Sequence, residues 1–427
     1  MNPRAILNRK VIAWSLYDWA NSAFALSVLA VLFPVFLRDY WSAGDSEAAV
    51  TARLGWITAA ANLVVSVLAP IFGTIADKGG YRKRFLIALA AIGAAGTASL
   101  GIMGEGSWPW ALAAYLLASV GFYSSTLFYD SLLIDVTRPK YFNFVSSLGF
   151  SLGYLGGSLL LGLHVWMIRS PDTFGVGNDI EAIRVAFVTV GVWWALFSAP
   201  LILFVPELKR GGTVARGIVR AAYSELITTF RRIREYRNIV LFLVAYLLYM
   251  GGVFLVIAMA VNYGQRLGFG RQDLVMALLI TNFVGFPATL IYGIVSHRVG
   301  PKPGIYFALA VYIAVSGWAV FMTDVHQFYI MAIIIGCVQG GVQGLSRSLY
   351  ALLIPAEQPG EFFGFYNMTT KLAHVIGPTL IGMAAMLSDA PQVLLLVLLP
   401  LFIAGALLLR QIPAVATLSD PQGRNER

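Results

Sequence analysis

Apolar runs of twenty residues or so follow one another along this chain with only short polar breaks between them, and ~20 mostly apolar residues are what a helix needs to cross a bilayer. The pattern predicts spans at Val11 to Leu37, Leu54 to Ala76, Phe85 to Met103, Trp108 to Ile134, Phe144 to Ile168 and Val185 to Val205. A long basic interval, Glu207 to Asn238, interrupts the series. Six more spans follow it, at Ile239 to Tyr263, Leu274 to Ser296, Gly304 to Met322, Phe328 to Ile354, Phe362 to Leu387 and Val393 to Leu409. The expected class is an all-α membrane protein of twelve transmembrane helices, arranged six plus six.

Composition agrees and narrows the class. Of 427 residues, 58% are hydrophobic and 12% charged, against roughly a quarter charged in a soluble domain. A soluble fold could not hide that much apolar surface. The first run is too long for a signal-peptide core and lacks a small-residue cleavage pattern, so it is expected to remain as a helix.

Lysine and arginine concentrate in cytoplasmic loops. With the amino terminus inside, 22 of them fall on the inner face and six outside. The expectation is a cell inner membrane location with both termini cytoplasmic. The net charge of +9 is then a matter of topology and supports no nucleic-acid partner. The one cysteine, Cys337, allows no intrachain disulfide, and the four histidines show no metal spacing. No phosphate-cradling glycine loop is present, which argues against ATP-driven pumping. Neither a cofactor nor enzymatic chemistry is implied.

The chain also repeats itself. Gly73, Lys78, Gly80 and Arg82 in the loop after the second span recur as Gly293, Arg298, Gly300 and Lys302 after the eighth, at a constant offset of 220 positions. Leu132-Leu133-Ile134 pairs with Leu352-Leu353-Ile354 at that offset, and Gly157 with Gly377. Internal repeats of this kind are characteristic of transporter folds. The expected organisation is an amino-terminal bundle (1–206), a cytoplasmic linker (207–238), a carboxy-terminal bundle (239–410) and a tail (411–427). Within the linker, Ile218, Ala222, Leu226, Phe230 and Ile233 fall at helical steps with arginines between, which predicts an amphipathic surface helix.

Polar groups inside a bilayer are expensive, at least ~2.5 kcal/mol for an ionised side chain, and mark partners or pathways. Asp18 lies eight residues past Lys10, about 12 Å into the first helix; Asn21 and Ser22 share its face, and Tyr17 adjoins it. This stripe suits a proton carrier, an anchor for a cationic group, or a packing network. Lys371 and His374 lie three residues apart in the eleventh helix near mid-depth, where transporter sites form. Lys371 is placed for substrate contact, or for an internal ion pair. Gln339, Gln343 and Arg347 step by four along the tenth helix, with Arg347 near enough to the inner end to reach headgroups instead. Asp130 could act in a gate, while interfacial solvation is the simpler account of Asp135.

The loop Gly73-Thr-Ile-Ala-Asp77-Lys78-Gly-Gly80-Tyr-Arg82 resembles the signature loop of the major facilitator superfamily. That resemblance implies a gate in which the acid, Asp77, faces the start of a helix in the other half, with Arg82 beside it. The second copy carries His297 in place of the acid. Three further segments, Ser15-Leu-Tyr-Asp-Trp-Ala-Asn-Ser-Ala-Phe24, Val338-Gln-Gly-Gly-Val-Gln-Gly-Leu-Ser-Arg-Ser-Leu-Tyr350 and Glu361-Phe-Phe-Gly-Phe-Tyr-Asn367, resemble the vacuole effluxer (autophagy-related) family with its bacterial members. Asp130 departs from the asparagine that the family pattern has there. The likeness implies a major facilitator fold and, from the fungal members, amino-acid export. The expectation is a secondary transporter of a small polar metabolite with proton coupling. Two alternatives stand beside it: an exporter of amphiphilic or toxic compounds, suggested by 13% aromatic residues, and a non-transporting scaffold or receptor.

Overall fold

A computed structural model describes residues 6–207, 224, 227–229, 233–385 and 398–413 of the chain. Most of the predicted surface helix of the linker, from Ile218 to Ile233, and most of the tail lie outside the described residues.

The described residues are helical, with no strands among them. We number the long elements α1 (Arg9–Trp41), α2 (Glu47–Gly79), α3 (Arg82–Leu100), α4 (Trp108–Ser131), α5 (Phe142–Arg169), α6 (Asp179–Phe204), α7 (Arg237–Arg266), α8 (Arg271–Val299), α9 (Pro301–Ala319), α10 (Val325–Leu353), α11 (Pro359–Ala385) and α12 (Leu398–Arg410). Nine of them are long and apolar enough to cross a membrane among the described residues. Helices are the outcome that a bilayer enforces, because every backbone donor and acceptor must be satisfied within the segment. Their ends are marked locally. The Asn8 side chain accepts from the backbone of Lys10 and Val11 at 3.0 Å each to start α1, and Gly80 ends α2 with φ 66°, a left-handed conformation that favours glycine. The helices run past the predicted spans at most ends, since polar caps extend them into the interface. α1 departs from regular geometry: it widens to π-helical winding over Phe24–Leu32 and Leu37–Trp41.

Helix pairing shows the duplication directly. In the first six helices α1 packs on α5 and α6, α2 on α4, and α3 on α4 and α6. In the second six, α7 packs on α11 and α12, α8 on α10, and α9 on α10 and α12, the same set shifted by six. Two seams join the halves, α2 along α11 and α5 along α8, again related by that shift. Large apolar side chains such as Trp56, Leu203 and Phe321 are exposed on the outside, as lipid contact requires.

Small residues set how closely the seams approach. A Cβ on Gly73 would overlap the Gly360 carbonyl oxygen, and one on Gly364 would come within 2.6 Å of Pro70 Cα. At the related place in the other seam, a Cβ on Gly293 would lie 2.8 Å from the Ser147 Cβ. Gly73 and Gly293 are the paired glycines of the 220-residue repeat, so the repeated loop marks both crossings. Because α2 cannot give way there without moving off α11, Gly73→Val should cost the observed packing about 1–3 kcal/mol. The expected result is a longer, broader distance distribution between spin labels at Arg84 and Glu357, measured by pulsed electron resonance. An unchanged distribution would show that the crossing has slack.

Candidate functional site

α1 begins, and α2 ends, at a face that carries Arg9, Lys10, Arg82, Lys83, Arg84, Arg138, Lys140, Arg298, Lys302 and Arg410. This basic face is sealed by three layers of contacts between the halves, and a cavity opens toward the opposite face.

The outermost layer holds the repeated loops. Asp77 Oδ2 accepts from the backbone N–H of Glu361 at 2.8 Å, in the first turn of α11. An acid at a helix start meets unsatisfied amide donors and the positive end of the dipole. Arg82 holds Asp77 from the other side (Nε to Oδ1, 3.4 Å) and reaches Asp135 at 2.6 Å and the Ser131 carbonyl at 3.2 Å. The Asp135 side chain is 2% exposed, so the expectation that it is solvated at the interface is corrected: Arg82 draws it inward. Across the other seam, His297 Nδ1 lies 3.1 Å from the Lys140 carbonyl and its ring stacks on Tyr141. Subtracting the repeat offset from Gly360 and Glu361 gives Lys140 and Tyr141. The histidine therefore meets the counterpart of the segment that Asp77 meets, bonding a carbonyl where the acid bonds an amide.

The second layer is built on amides and hydroxyls. Asn143 of α5 donates to the Ser296 carbonyl of α8 at 2.9 Å and accepts from Ser348 of α10 at 2.7 Å. Ser146 donates to the Gly344 carbonyl at 2.7 Å.

At the centre lies Arg347, 1% exposed. Its Nη1 donates to Asp130 Oδ1 at 2.7 Å and lies 3.7 Å from Asp18 Oδ2; Nε donates to Ser146 Oγ at 2.9 Å and Nη2 to the Ser146 carbonyl at 2.8 Å. All three partners belong to the first six helices, and Arg347 to the second. The guanidinium is enclosed by the rings of Phe150, Trp14 and Tyr129, at 4.2, 5.0 and 5.1 Å, which suits its weak hydration and planar charge. Tyr129 donates to Asp18 Oδ2 at 3.1 Å, and Trp14 Nε1 donates to the Tyr129 carbonyl at 2.8 Å. Tyr17 packs against Tyr129 at 5.2 Å, and Asn21 is buried one turn beyond Asp18. The alternative in which Arg347 reaches headgroups is excluded by its burial. The cation that meets Asp18 is Arg347, 3.7 Å away.

The same α10 stripe leads upward. Gln343 accepts from Tyr154 of α5 at 2.7 Å, and Gln339 lines the cavity. That cavity, of about 360 Å³, lies between α1, α7, α8 and α10, with Val31 and Ala30 of the π-wound segment on one wall. Phe328, Met331, Ile335 and Leu274 make it largely apolar, and Arg38 and Arg271 stand at its mouth. Arg38 pairs with Asp39 at 2.6 Å, and Arg271 approaches the same acid at 3.5 Å.

Lys371 is buried on the other side of the centre. Its Nζ sits 3.1 Å from the centroid of the Tyr123 ring of α4, and no carboxylate lies within 4.0 Å of it among the described residues. His374 stacks on Phe254 of α7 at 3.8 Å. The ion-pair alternative for Lys371 is thereby replaced by a cation–π contact.

Tyr129, Ser146, Tyr123, Asn143 and Asn367 were not singled out from sequence as site residues. Asn143 and Asn367, which donates to the Tyr123 carbonyl at 3.1 Å, carried a usable signal: an amide in an apolar helix is also costly.

The arrangement is that of a major facilitator transporter. Solved structures of this class match nearly the whole chain: a proton:xylose symporter, XylE (14% identical, TM-score 0.73, covering 96% of each chain), the human organic anion transporter MFSD10 (16%, TM-score 0.72, 94% of this chain and 99% of that one), and FucP in its outward conformation (14%, TM-score 0.71, 96% and 100%). At these identities the likeness is one of fold. The family model described as "Vacuole effluxer Atg22 like" matches residues 8–141 and 135–416, and the chain belongs to that family. It is 36% identical over 420 residues, 97% of both chains, to the uncharacterized MFS-type transporter YxiO of Bacillus subtilis. It is 24% identical to autophagy-related protein 22 of Eremothecium gossypii, over 88% of this chain and 85% of that one.

Removing one member of a buried ion cluster strands the others, at a typical cost of about 3–5 kcal/mol. Arg347→Gln should therefore lower the thermal unfolding midpoint of the purified protein sharply, and Asp130→Asn on that background should restore much of it. A single variant as stable as the parent would mean that the cluster is hydrated and weak.

Proposed function

We propose that the chain moves a small polar metabolite, with amino acids the first class to test, by alternating access coupled to protons. The observation that carries the reading is the seal itself. One half's arginine is held by the other half's carboxylates directly below a cavity open to the far side, so opening the basic face requires that tie to be exchanged for another. The two halves, 1–206 and 239–410, would rock about the α2/α11 and α5/α8 seams. The basic face would be cytoplasmic, in a cell inner membrane.

Charge counting supports the coupling. With both acids ionised, Asp18, Asp130 and Arg347 sum to −1 in a buried site; one proton makes the sum zero. Asp130 holds the guanidinium at 2.7 Å, whereas Asp18 stands at 3.7 Å with a tyrosine hydroxyl on it. Asp18 is thus the proposed proton carrier and Asp130 the standing partner. Lys371, without a counter-ion among the described residues, is the proposed contact for a substrate carboxylate.

A second reading, movement of amphiphilic compounds, has its own support in the apolar lining of the cavity. Reconstituted vesicles separate the two. Under the first reading, a panel of labelled amino acids yields flux that rises with an imposed pH gradient. Asp18→Asn keeps exchange but loses gradient-driven accumulation, and Lys371→Gln lowers both about tenfold or more. Absence of gradient-dependent flux across the panel, together with flux of a lipophilic cation or anion dye, would favour the second.

A further inference from the structure

A recess of about 700 Å³ lies on the basic face, outside the seal, between the first turn of α1 and the segment that joins α4 to α5. Arg9 and Lys10 line it from one side and Thr137, Arg138 and Tyr141 from the other, with Asp135 in its wall. The three cations come from parts of the chain some 130 positions apart, so the fold, not local sequence, brings them to one concavity.

Their charges are unmatched. Asp135 is committed to Arg82 at 2.6 Å, and no carboxylate lies within 4.0 Å of Arg9, Lys10 or Arg138 among the described residues. Two other basic residues of the same face have partners of their own: Lys83 Nζ donates to the Ile202 carbonyl at 2.7 Å, and Arg84 lies 3.4 Å from Glu207. Topology alone would explain positive charge on this face, yet it does not explain why three cations from distant parts of the chain line one recess.

A group that satisfies two guanidinium forks and an ammonium at once needs several acceptor oxygens with dispersed negative charge. Phosphate has them, and a carboxylate offers only two. Thr137 and Tyr141, whose side chains carry hydroxyl groups, line the same recess. Leu7 and Ile12, exposed apolar side chains at 41% and 44%, flank Arg9 and Lys10 in sequence. That combination of apolar stem and cationic rim matches the headgroup level of a leaflet.

We propose that this recess binds a phosphate group, supplied either by the headgroup of an anionic phospholipid or by free phosphate from solution. The bound group would tie the start of α1 to the α4–α5 segment beside the Asp135–Arg82–Asp77 chain.

The test uses the full-length protein in neutral detergent, with the thermal unfolding midpoint followed during titration with phosphatidylglycerol, phosphatidylcholine or inorganic phosphate. Arg9→Gln/Lys10→Gln/Arg138→Gln is compared with Lys83→Gln/Arg84→Gln, which removes charge from the same face away from the recess. The expected result is a saturable upward shift with phosphatidylglycerol and none with phosphatidylcholine. Apparent affinity should be about a hundredfold weaker in the triple variant, on a scale of ~1 kcal/mol per basic residue, and retained in the control. An equal shift from inorganic phosphate alone would support the site and assign its ligand to solution. Arg9→Lys/Arg138→Lys keeps the charge and should fold and bind with intermediate affinity, which covers the case of a triple variant that does not fold. The proposal is overturned if the triple variant responds like the parent, if the control loses as much, or if neither phosphatidylglycerol nor phosphate shifts the parent.

Discussion

An arginine buried in a membrane protein must be held on all sides, and Arg347 is held almost wholly by the opposite half of the molecule. Its hydrogen bonds run to Asp130 and to both oxygens of Ser146, its flat faces meet aromatic rings, and Asp18 waits one ångström further out. Because leaving such a charge unpartnered is so costly, the proposed opening of the basic face needs another arrangement to satisfy it. The rest of the seal lies on its basic side. The amide layer of Asn143 and Ser348 lies next to it toward the basic face, and the Asp77 and His297 loops close over both.

Backbone geometry makes the tie possible. The side chains of α4, α5 and α10 meet at hydrogen-bond distance because glycines let the seams close: Gly73 on Gly360 in one, Gly293 and Gly344 on Ser147 in the other. Duplication supplies the two crossings in related positions, and divergence then makes the halves unequal. The first repeat presents an acid to the amides of α11, the second a histidine to a carbonyl before α5. The outcome is two contacts of different chemistry at equivalent places. On the far side no comparable tie exists among the described residues; Asp39 and Arg271 approach at 3.5 Å with both side chains well exposed, and the cavity stands open between them and Gln339.

Much of the architecture was legible because a bilayer imposes a simple code. Runs of apolar length, basic loops and a constant repeat offset placed the helices and marked the crossings, and the Gly73 and Gly293 pairing carried over directly into three dimensions. The site was legible in its members more than in its connections. Asp18, Asp130, Arg347 and Lys371 were conspicuous as charges in apolar helices, yet which acid meets which base depends on how α4 and α5 lie against α10. Asp130 and Arg347 are 217 positions apart, and no helical period spans that distance. Spacing alone put Arg347 close to a helix end and left a route to headgroups open; packing against Phe150 and Trp14 closed it. Asp135 was misplaced for a related reason, since its partner Arg82 lies on a different helix. Tyr129 and Phe150, which help enclose the guanidinium, did not stand out because aromatic side chains are common in membrane helices for reasons of interface and packing.

The central claim is that the Arg347 tie holds the basic face shut while the cavity faces the other side, so that releasing one opens the other. Single cysteines at Val31, on the cavity wall, and at Ser147, where α5 meets Gly293 and Gly344, report the two sides when placed on a Cys337→Ser background. Labelling by a membrane-impermeant thiol reagent, applied to each side separately, should be fast at Val31 and slow at Ser147 in the parent. With Asp130→Asn added, the account predicts a reciprocal change: Val31 becomes protected and Ser147 reactive from the basic side. Accessibility that stays the same at both positions, or rises at both together, would contradict it.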